Sequence, residues 1–381
     1  MPESGTTALR DTTLTLFFTR RTGLCDWDRV GNLDREVELY RRLADSLKQV
    51  NFITYGGRQD RAYSRRLAPI EVCPMPRHLP VPVSRELIYR SHESLLRKSD
   101  ILKTNQVAGA EIATWLKRKF GGKLITRCGY LYSRFVRERT SNRHRIRRAF
   151  ATENQAFTVA DAVVVATERD RVWSMETHGL HAEKIQVIPN YVLTDVFKPR
   201  PDIRKTHDLV CVAKASPQKN LDALVDALRY LKRDVGALTC MLIGSATADR
   251  TLRRRAERSG LEITFVPRVP NLELPGHLNR CRAFVLPSLY EGHPKALLEA
   301  MSCGIPCIGT DVIGIREELR HRHNGYLCKT DPVSLAGAIK EVLEDPELQH
   351  ELGKNARQYV RSRYDIEKVL GLELGLMQRL L

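Results

Sequence analysis

Two carboxylates, Glu291 and Glu299, lie eight positions apart, with a glycine and a proline between them. A carboxylate can accept two hydrogen bonds from a vicinal diol such as that of a ribose. A helix that starts nearby offers free N–H groups and the positive end of its dipole to a phosphate. This pattern therefore predicts a site for a ligand that carries both a sugar and a phosphate.

Hydrophobic patterning predicts the elements that hold this pair. Residues 283–286 form an apolar run bounded by proline, which is typical of a buried strand. Pro294 suits the first position of a helix over 295–303, and Gly304 suits the end of that helix. Glu291 then lies in a loop at the carboxyl end of a strand, which is the edge where open α/β sheets bind ligands.

Glu299 has apolar neighbours nearly all round the predicted helix, so we expect it to be buried. A buried carboxylate without a partner is costly, and Glu299 therefore needs one. A protein cation would make it a structural ion pair, whereas a ribose diol would make it a ligand-binding group. Glu291 taken alone could be an ordinary loop acid, but the two carboxylates together favour ligand binding.

The segment from Glu291 to Glu299 resembles the Glu-x7-Glu signature of retaining nucleotide-sugar glycosyltransferases of the GT-B fold, in glycosyltransferase family 4. The resemblance continues through residues 300–317 and 323–327, and it extends from about residue 155 to residue 365. It implies an α/β protein with two Rossmann-like, doubly wound domains that face each other across a cleft. It also implies a retaining, hexosyl-type glycosyltransferase.

The resemblance assigns roles at the donor site, with Glu291 orienting the sugar and Glu299 binding the ribose. Lys214 and Lys219 follow a predicted strand at 209–213, where family members usually have Gly-Arg and, five residues later, Lys. Two ammonium groups there would neutralise a diphosphate as it leaves, although lysine lacks the planar fork of arginine. Two solvated loop lysines are the alternative. The other residues predicted to bind the donor are Gly292, His293, Pro294, Lys295 and Ala296.

The first half of the chain is expected to bind the acceptor. Many family members place a histidine beside the donor sugar, whereas the corresponding loop here has Arg127, Cys128 and Tyr130. Arg127 is predicted to be catalytic together with Glu291 and Lys219 by touching the sugar or phosphate, and a salt-bridged arginine is the alternative. The residues predicted to bind the acceptor are Gly23, Trp27 and Tyr130, although a place in the hydrophobic core is the safer interpretation of Trp27.

The resemblance implies a transfer that needs no metal ion and no other cofactor. The one Asp-x-Asp, at Asp26 and Asp28, lies in the first half, so we do not interpret it as a metal clamp for the donor. No Gly-x-Gly-x-x-Gly follows the first predicted strand, which argues against a dinucleotide dehydrogenase. Residues 304–309 have P-loop glycine spacing but lack the lysine that would contact the phosphates.

The net charge of +17 is concentrated at residues 134–148, which hold seven arginines and one glutamate. A solvated helix face is one interpretation. A nucleic-acid site is a second, but no recognition motif or set of stacking aromatics accompanies it. We favour a membrane-surface patch, because apolar residues alternate with the arginines. The arginines predicted to meet anionic headgroups are Arg134, Arg137, Arg143, Arg145, Arg147 and Arg148.

Alternating strands and helices predict the domain organisation. Residues 1–196 are expected to form an acceptor-binding domain, and 205–360 a nucleotide-sugar-binding domain after a proline-rich linker at 197–202. Residues 361–381 are predicted to form a helix that crosses back to the first domain. The first predicted strand, at 13–18, is followed by a loop at 20–27.

Several features indicate a cytoplasmic protein that binds peripherally to the membrane. The nine cysteines are scattered, which is typical of free thiols in a reducing compartment. No run of 18 apolar residues occurs, and residues 1–5 lack the basic and apolar regions of a signal peptide.

The resulting hypothesis is a transferase that moves a sugar from a nucleotide-sugar donor to a glycan or polyprenol-linked acceptor at the cytoplasmic membrane face, with no nucleic-acid partner. One alternative is a phosphorylase or soluble disaccharide synthase of the same fold. The other is a non-enzymatic basic module that binds nucleic acid or a membrane.

Overall fold

A computed structural model describes residues 9–236 and 238–381, apart from the side chain of Glu138. The leading residues 1–5 lie outside the described residues. The chain divides into two units, of which the first comprises Met1–Asn190 and Glu367–Leu381 and the second comprises Tyr191–Ile366. Each unit contains one parallel sheet with helices in the connections between its strands.

The first unit has a seven-stranded parallel sheet in the order β3-β2-β1-β4-β5-β6-β7. Its strands are β1 (Thr13–Phe17), β2 (Gln49–Thr54), β3 (Glu71–Pro74), β4 (Ile101–Thr104), β5 (Lys123–Cys128), β6 (Ala162–Val165) and β7 (Ile185–Val187). Its first eight helices are α1 (Leu24–Arg29), α2 (Leu33–Ala44), α3 (Ser64–Leu67), α4 (Val81–Arg97), α5 (Ala110–Phe120), α6 (Tyr132–Arg139), α7 (Arg143–Val159) and α8 (Glu168–His178). Apolar strand residues are buried on both faces, as a covered parallel sheet requires.

The second unit has a six-stranded parallel sheet in the order β10-β9-β8-β11-β12-β13. Its strands are β8 (His207–Val212), β9 (Thr239–Ile243), β10 (Glu262–Val266), β11 (Cys281–Leu286), β12 (Cys307–Thr310) and β13 (Tyr326–Cys328). Its helices are α9 (Leu221–Asp234), α10 (Arg250–Arg258), α11 (Leu274–Asn279), α12 (Lys295–Ser302), α13 (Ile313–Arg316), α14 (Pro332–Glu344) and α15 (Pro346–Arg363). The strand order reverses between β8 and β11, and such a switch point is where doubly wound sheets bind ligands.

The division between the units at Asn190 lies six residues before the expected boundary at 196. Val192, Leu193 and Phe197 explain the difference, because all three are buried in the core of the second unit. The proline-rich stretch that starts at Phe197 therefore begins as part of that core rather than as a solvated linker. The free energy gained by burying these apolar side chains favours their place in the core, although the prolines nearby are typical of an exposed linker.

The last helix, α16 (Ile366–Leu380), carries residues that belong to the first unit from Glu367 onward. Glu373 of this helix reaches Lys103 of β4, with 2.6 Å between Oε1 and Nζ, and both side chains are fully buried. The expected C-terminal helix at 361–381 is thus two elements, since residues 361–363 end α15. A buried ion pair fixes the rotation of α16 about its axis, because only one face of the helix carries the carboxylate.

The predicted loop at 20–27 differs from the structure, because it contains the start of α1. Among the described residues, no helix is long and apolar enough to cross a membrane.

Candidate functional site

The two motif loops of the second unit meet at the switch point of its sheet. Strands β8 and β11 are neighbours in the sheet, and each is followed by one of the loops. Lys219 ends a short 3-10 helix in the first loop, and its Nζ lies 2.5 Å from Oε1 of Glu291 in the second. The backbone joins the loops as well, since the Leu289 N–H donates to the Gln218 carbonyl at 2.8 Å. The structure therefore brings together two of the residues predicted to be catalytic.

Two further side chains hold the Glu291 carboxylate, whose side chain is 8% exposed. Ser288 Oγ donates to Oε1 at 2.6 Å, and Gln218 Nε2 lies 3.4 Å from Oε2. Sequence reasoning missed both, although each is a polar residue within three positions of a predicted site residue. Oε1 is thus well supplied with donors, while Oε2 has the longer contact and suits a ligand hydroxyl.

Glu299 lies in the middle of α12 and is 3% exposed, so its expected burial is confirmed. Oε1 accepts a hydrogen bond from Asn271 Nδ2 at 2.9 Å. Asn271 lies between β10 and α11, and sequence reasoning did not single it out. Burial of the Glu299 carboxylate is costly without a hydrogen-bond partner, and the Asn271 amide offsets part of that cost.

The start of α12 is close to its expected place. Pro294 immediately precedes the first helical residue, Lys295, and Gly304 beyond the helix end has a φ of +69°, a conformation that favours glycine. Gly292 is exposed, whereas Lys295 and Ala296 are half-buried. The helix N-terminus therefore adjoins the loop that carries Glu291.

The imidazole of His293 does not face solvent beside the other motif residues. Its side chain is 2% exposed, and Nε2 lies 3.5 Å from Oε1 of Glu318. The ring therefore lies against Glu318 within the fold, and donor binding by His293 stays a prediction. Lys214, in contrast, is exposed two residues beyond the end of β8.

In the first unit, Arg127 is the second-to-last residue of β5 and forms an ion pair. Its Nη1 lies 3.6 Å from Oε1 of Glu373, and the same nitrogen donates to the carbonyl of Ile188 at 3.5 Å. The side chain is 13% exposed. The structure thus contains the alternative of a salt-bridged arginine, and contact with a sugar or phosphate stays a prediction.

The three residues expected to bind the acceptor have different surroundings. Trp27 is 8% exposed and its ring stacks on Phe18 with centroids 4.2 Å apart, so the structure favours its role in the core. Gly23 approaches the next loop so closely that an added Cβ would lie 2.5 Å from the Cα of Gly56, which gives this glycine a packing role. Tyr130 is 39% exposed and remains accessible to a ligand.

The Asp-x-Asp carboxylates are engaged with neighbouring side chains. Arg77 lies 2.7 Å from Asp26, holding the pKa of Asp26 below its ordinary value against the opposing effect of burial. Asp28 accepts a hydrogen bond from the Tyr63 hydroxyl at 2.8 Å. Within the described part of the chain, no group of three or more His, Cys, Asp or Glu side chains is arranged to hold a metal ion. All nine cysteines are free thiols.

The arginine-rich stretch folds as α6 and the start of α7. Arg134 is half-buried, while the other five arginines of the predicted patch are exposed. The apolar residues among them are partly engaged, since Phe135 packs on Tyr130 and Phe150 stacks on His178. The first turn of α7 contains basic but no acidic residues, an arrangement that the helix dipole disfavours. Helix stability therefore does not account for this charge.

Comparison with known proteins finds its family match within the second unit. Residues 195–359 match the family described as Glycosyl transferases group 1. The GDP-mannose-dependent alpha-(1-6)-phosphatidylinositol monomannoside mannosyltransferase of Mycobacterium tuberculosis is 29% identical over 203 residues, which are 48% of this chain and 53% of that protein. The N-acetyl-alpha-D-glucosaminyl L-malate synthase of Bacillus anthracis is 29% identical over 210 residues, 51% of this chain and 54% of that one. The chain thus spans about half the length of the curated relatives it matches.

The similarity in fold extends over nearly the whole chain. The crystal structure of Anabaena Alr3699/HepE in complex with UDP and glucose matches with a TM-score of 0.77 at 18% sequence identity, covering 96% of this chain and 100% of that one. Residues 195–359 thus match the model of glycosyl transferases group 1, and the chain has two Rossmann-like α/β domains, which is the fold of the similar GT-B structure.

Proposed function

We propose that the protein is a retaining, metal-independent glycosyltransferase of family 4 that moves a hexose from a nucleoside-diphosphate sugar to a lipid-linked or surface-glycan acceptor. The observation that carries this proposal is the contact between Lys219 and Glu291, which joins the two motif loops at the switch point of the second sheet. It supports a site in which a cation for the diphosphate and a carboxylate for the sugar are adjacent.

Each donor-site residue of the second unit has a proposed role that follows from the chemistry of its side chain. Lys219 and the exposed Lys214 neutralise the diphosphate, and the N-terminus of α12 adds free N–H groups. Glu291 accepts sugar hydroxyls through Oε2, because Ser288 and Lys219 already occupy Oε1. Glu299 accepts the ribose diol. Stabilisation of the leaving diphosphate is then the main contribution of the chain to the reaction.

The similar proteins support a nucleotide-sugar donor. One relative is named as GDP-mannose-dependent, and the similar HepE structure holds UDP and glucose. A screen of UDP, GDP and their hexose conjugates by thermal shift tests the class and identifies the base. A product assay with free phosphate or free sugars then separates the transferase from a phosphorylase or a disaccharide synthase. A salt-dependent shift with RNA, and none with nucleotides, would favour the non-enzymatic module instead.

The exposed arginines of α6 and α7 support an acceptor at an anionic membrane surface. The positive charge at the start of α7 is unfavourable next to the positive end of the helix dipole. An anionic headgroup layer would attract this charge and so offset that unfavourable interaction. We therefore place the reaction at the cytoplasmic face of the membrane, with the protein bound peripherally.

Replacing Glu299 by alanine is expected to weaken nucleoside-diphosphate binding by about 30-fold, since hydrogen bonds to a charged group contribute about 1.5–3 kcal/mol. Isothermal calorimetry with the nucleotide from the thermal-shift screen measures this. Glu344→Ala, an exposed change at the end of α14, serves as the control and should leave the Kd unchanged. Unchanged affinity in a folded Glu299→Ala protein would rule out the ribose role.

Neutralising the start of α7 is expected to weaken binding to vesicles that contain anionic lipid by one to two orders of magnitude, since each basic residue near such a surface contributes about 1 kcal/mol before screening by salt. Cosedimentation measures the effect. The variant replaces four arginines by glutamine: Arg143, Arg145, Arg147 and Arg148. The control variant makes the same change at four exposed arginines of α10: Arg250, Arg253, Arg254 and Arg258. Equal losses in both variants would show that net charge alone, and not the patch, governs binding.

A further inference from the structure

The loop that carries Glu291 is supported from within the fold by the segment around α13. An added Cβ on Gly314 would overlap the carbonyl oxygen of Glu291 and would lie 2.6 Å from that of Gly292. The backbone of α13 therefore touches the backbone of the motif loop without an intervening side chain. A shift of either segment must move the other.

A second contact between the same segments involves a buried carboxyl group. Glu318, two residues beyond α13, has a 4% exposed side chain, and its Oε1 lies 3.5 Å from Nε2 of His293 in the motif loop. The Tyr359 hydroxyl donates to Oε2 at 3.3 Å. Tyr364 completes the enclosure, because its ring meets the His293 ring at 82° with centroids 5.1 Å apart.

The position of Tyr364 is itself fixed, since its carbonyl accepts a hydrogen bond from the Val192 N–H at 2.7 Å. Burial raises the pKa of Glu318 to about 7, against the opposing hydrogen bonds from Tyr364 and Tyr359. The carboxyl group is therefore more readily protonated than that of an exposed glutamate.

We propose that Glu318 is a positioning residue for the donor site, which holds His293 and thereby fixes the loop between Glu291 and the start of α12. The proposal rests on the proposed function, because the loop matters for catalysis only if it binds the donor. Glu318 acts through His293 rather than by contact with the donor. Burial of its carboxyl group is costly, and the hydrogen bond from Tyr359 offsets part of that cost.

The test compares Glu318→Leu, Glu318→Gln and the exposed neighbour control Glu317→Gln. In Glu318→Leu we expect faster hydrogen exchange confined to residues 289–296 of the ligand-free protein. We also expect kcat/KM to fall about tenfold, because small displacements of binding groups are costly to the reaction. Glu318→Gln keeps a donor and an acceptor and should restore both properties. In a His293→Phe background, Glu318→Leu should have little further effect.

Two results would overturn the role of Glu318. One is unchanged exchange in the loop of Glu318→Leu, and the other is exchange that rises throughout the second unit, as a merely structural residue would cause. Failure of the proposed function gives a different pattern. The wild-type protein would then bind neither UDP nor GDP by calorimetry, while Glu318→Leu would still loosen the loop alone.

Discussion

Replacing Lys219 by alanine is expected to lower kcat/KM by a factor of about 10²–10³, because removal of one preorganised group that stabilises a developing anion has an effect of this size. Lys219 is 18% exposed and lies 2.5 Å from Glu291, so its ammonium group is held in place before any ligand arrives. The variant loses the charge that we propose for the diphosphate, and it leaves Glu291 with Ser288 and Gln218 as hydrogen-bond partners. Steady-state transfer from the identified nucleotide sugar measures the loss.

The control is Lys354→Ala, which removes the same charge from an exposed position on α15. It should leave kcat/KM unchanged, since exposed charges at a distance are screened by salt. Lys219→Arg separates the effect of charge from that of shape, because the planar guanidinium keeps the positive charge but differs in shape from the ammonium group. Full activity in a folded Lys219→Ala protein would contradict the proposed role of the ammonium group at the diphosphate.

The fold follows from the sequence because parallel strands buried on both faces are nearly continuous apolar runs. Residues 162–165 and 283–286 are of this kind, and both lie in strands of the structure. Connections are harder to predict, since their structure depends on contacts remote in sequence. The start of α1 inside a predicted loop is one case, because Asp60 accepts a hydrogen bond from the Cys25 N–H at 3.0 Å across 35 residues.

The surroundings of the site residues predicted in the second unit were more predictable than those of the site residues predicted in the first unit. Glu291, Glu299 and Lys219 lie at fixed offsets from strand ends, so local pattern and topology together bring them near one edge. Asn271 and Glu318 were missed because their importance depends on which buried side chain they face, and sequence spacing carries no such information.

In the first unit, the surroundings of the predicted site residues come from long-range packing. Trp27 is covered by Phe18, and Arg127 pairs with Glu373, which lies 246 positions along the chain. A hydrophobic or charged residue near a strand end therefore has several possible partners, and the sequence alone does not show which of them it contacts in the fold. Tyr130 stays exposed and retains its predicted place among ligand-binding residues.

The ion pair between Lys103 and Glu373 has no access to water, since both side chains are 0% exposed. Burial lowers the pKa of Lys103, and the charge of Glu373 opposes this shift. Arg127 adds a second positive charge near the carboxylate. Breaking such a pair from one side leaves an uncompensated charge in the core, whereas replacing both members by apolar groups of similar volume is often neutral or stabilising.

Replacing Glu373 by leucine is therefore expected to destabilise the first unit by about 3–5 kcal/mol. Adding Lys103→Met should recover most of that loss, because the double variant buries no lysine. Urea unfolding followed by hydrogen exchange within the first unit measures both. The control Glu367→Leu changes a 64% exposed carboxylate on the same helix, and it should cost less than about 1 kcal/mol. Equal destabilisation in the single and double variants would show that α16 depends on the shape of these side chains rather than on their charges.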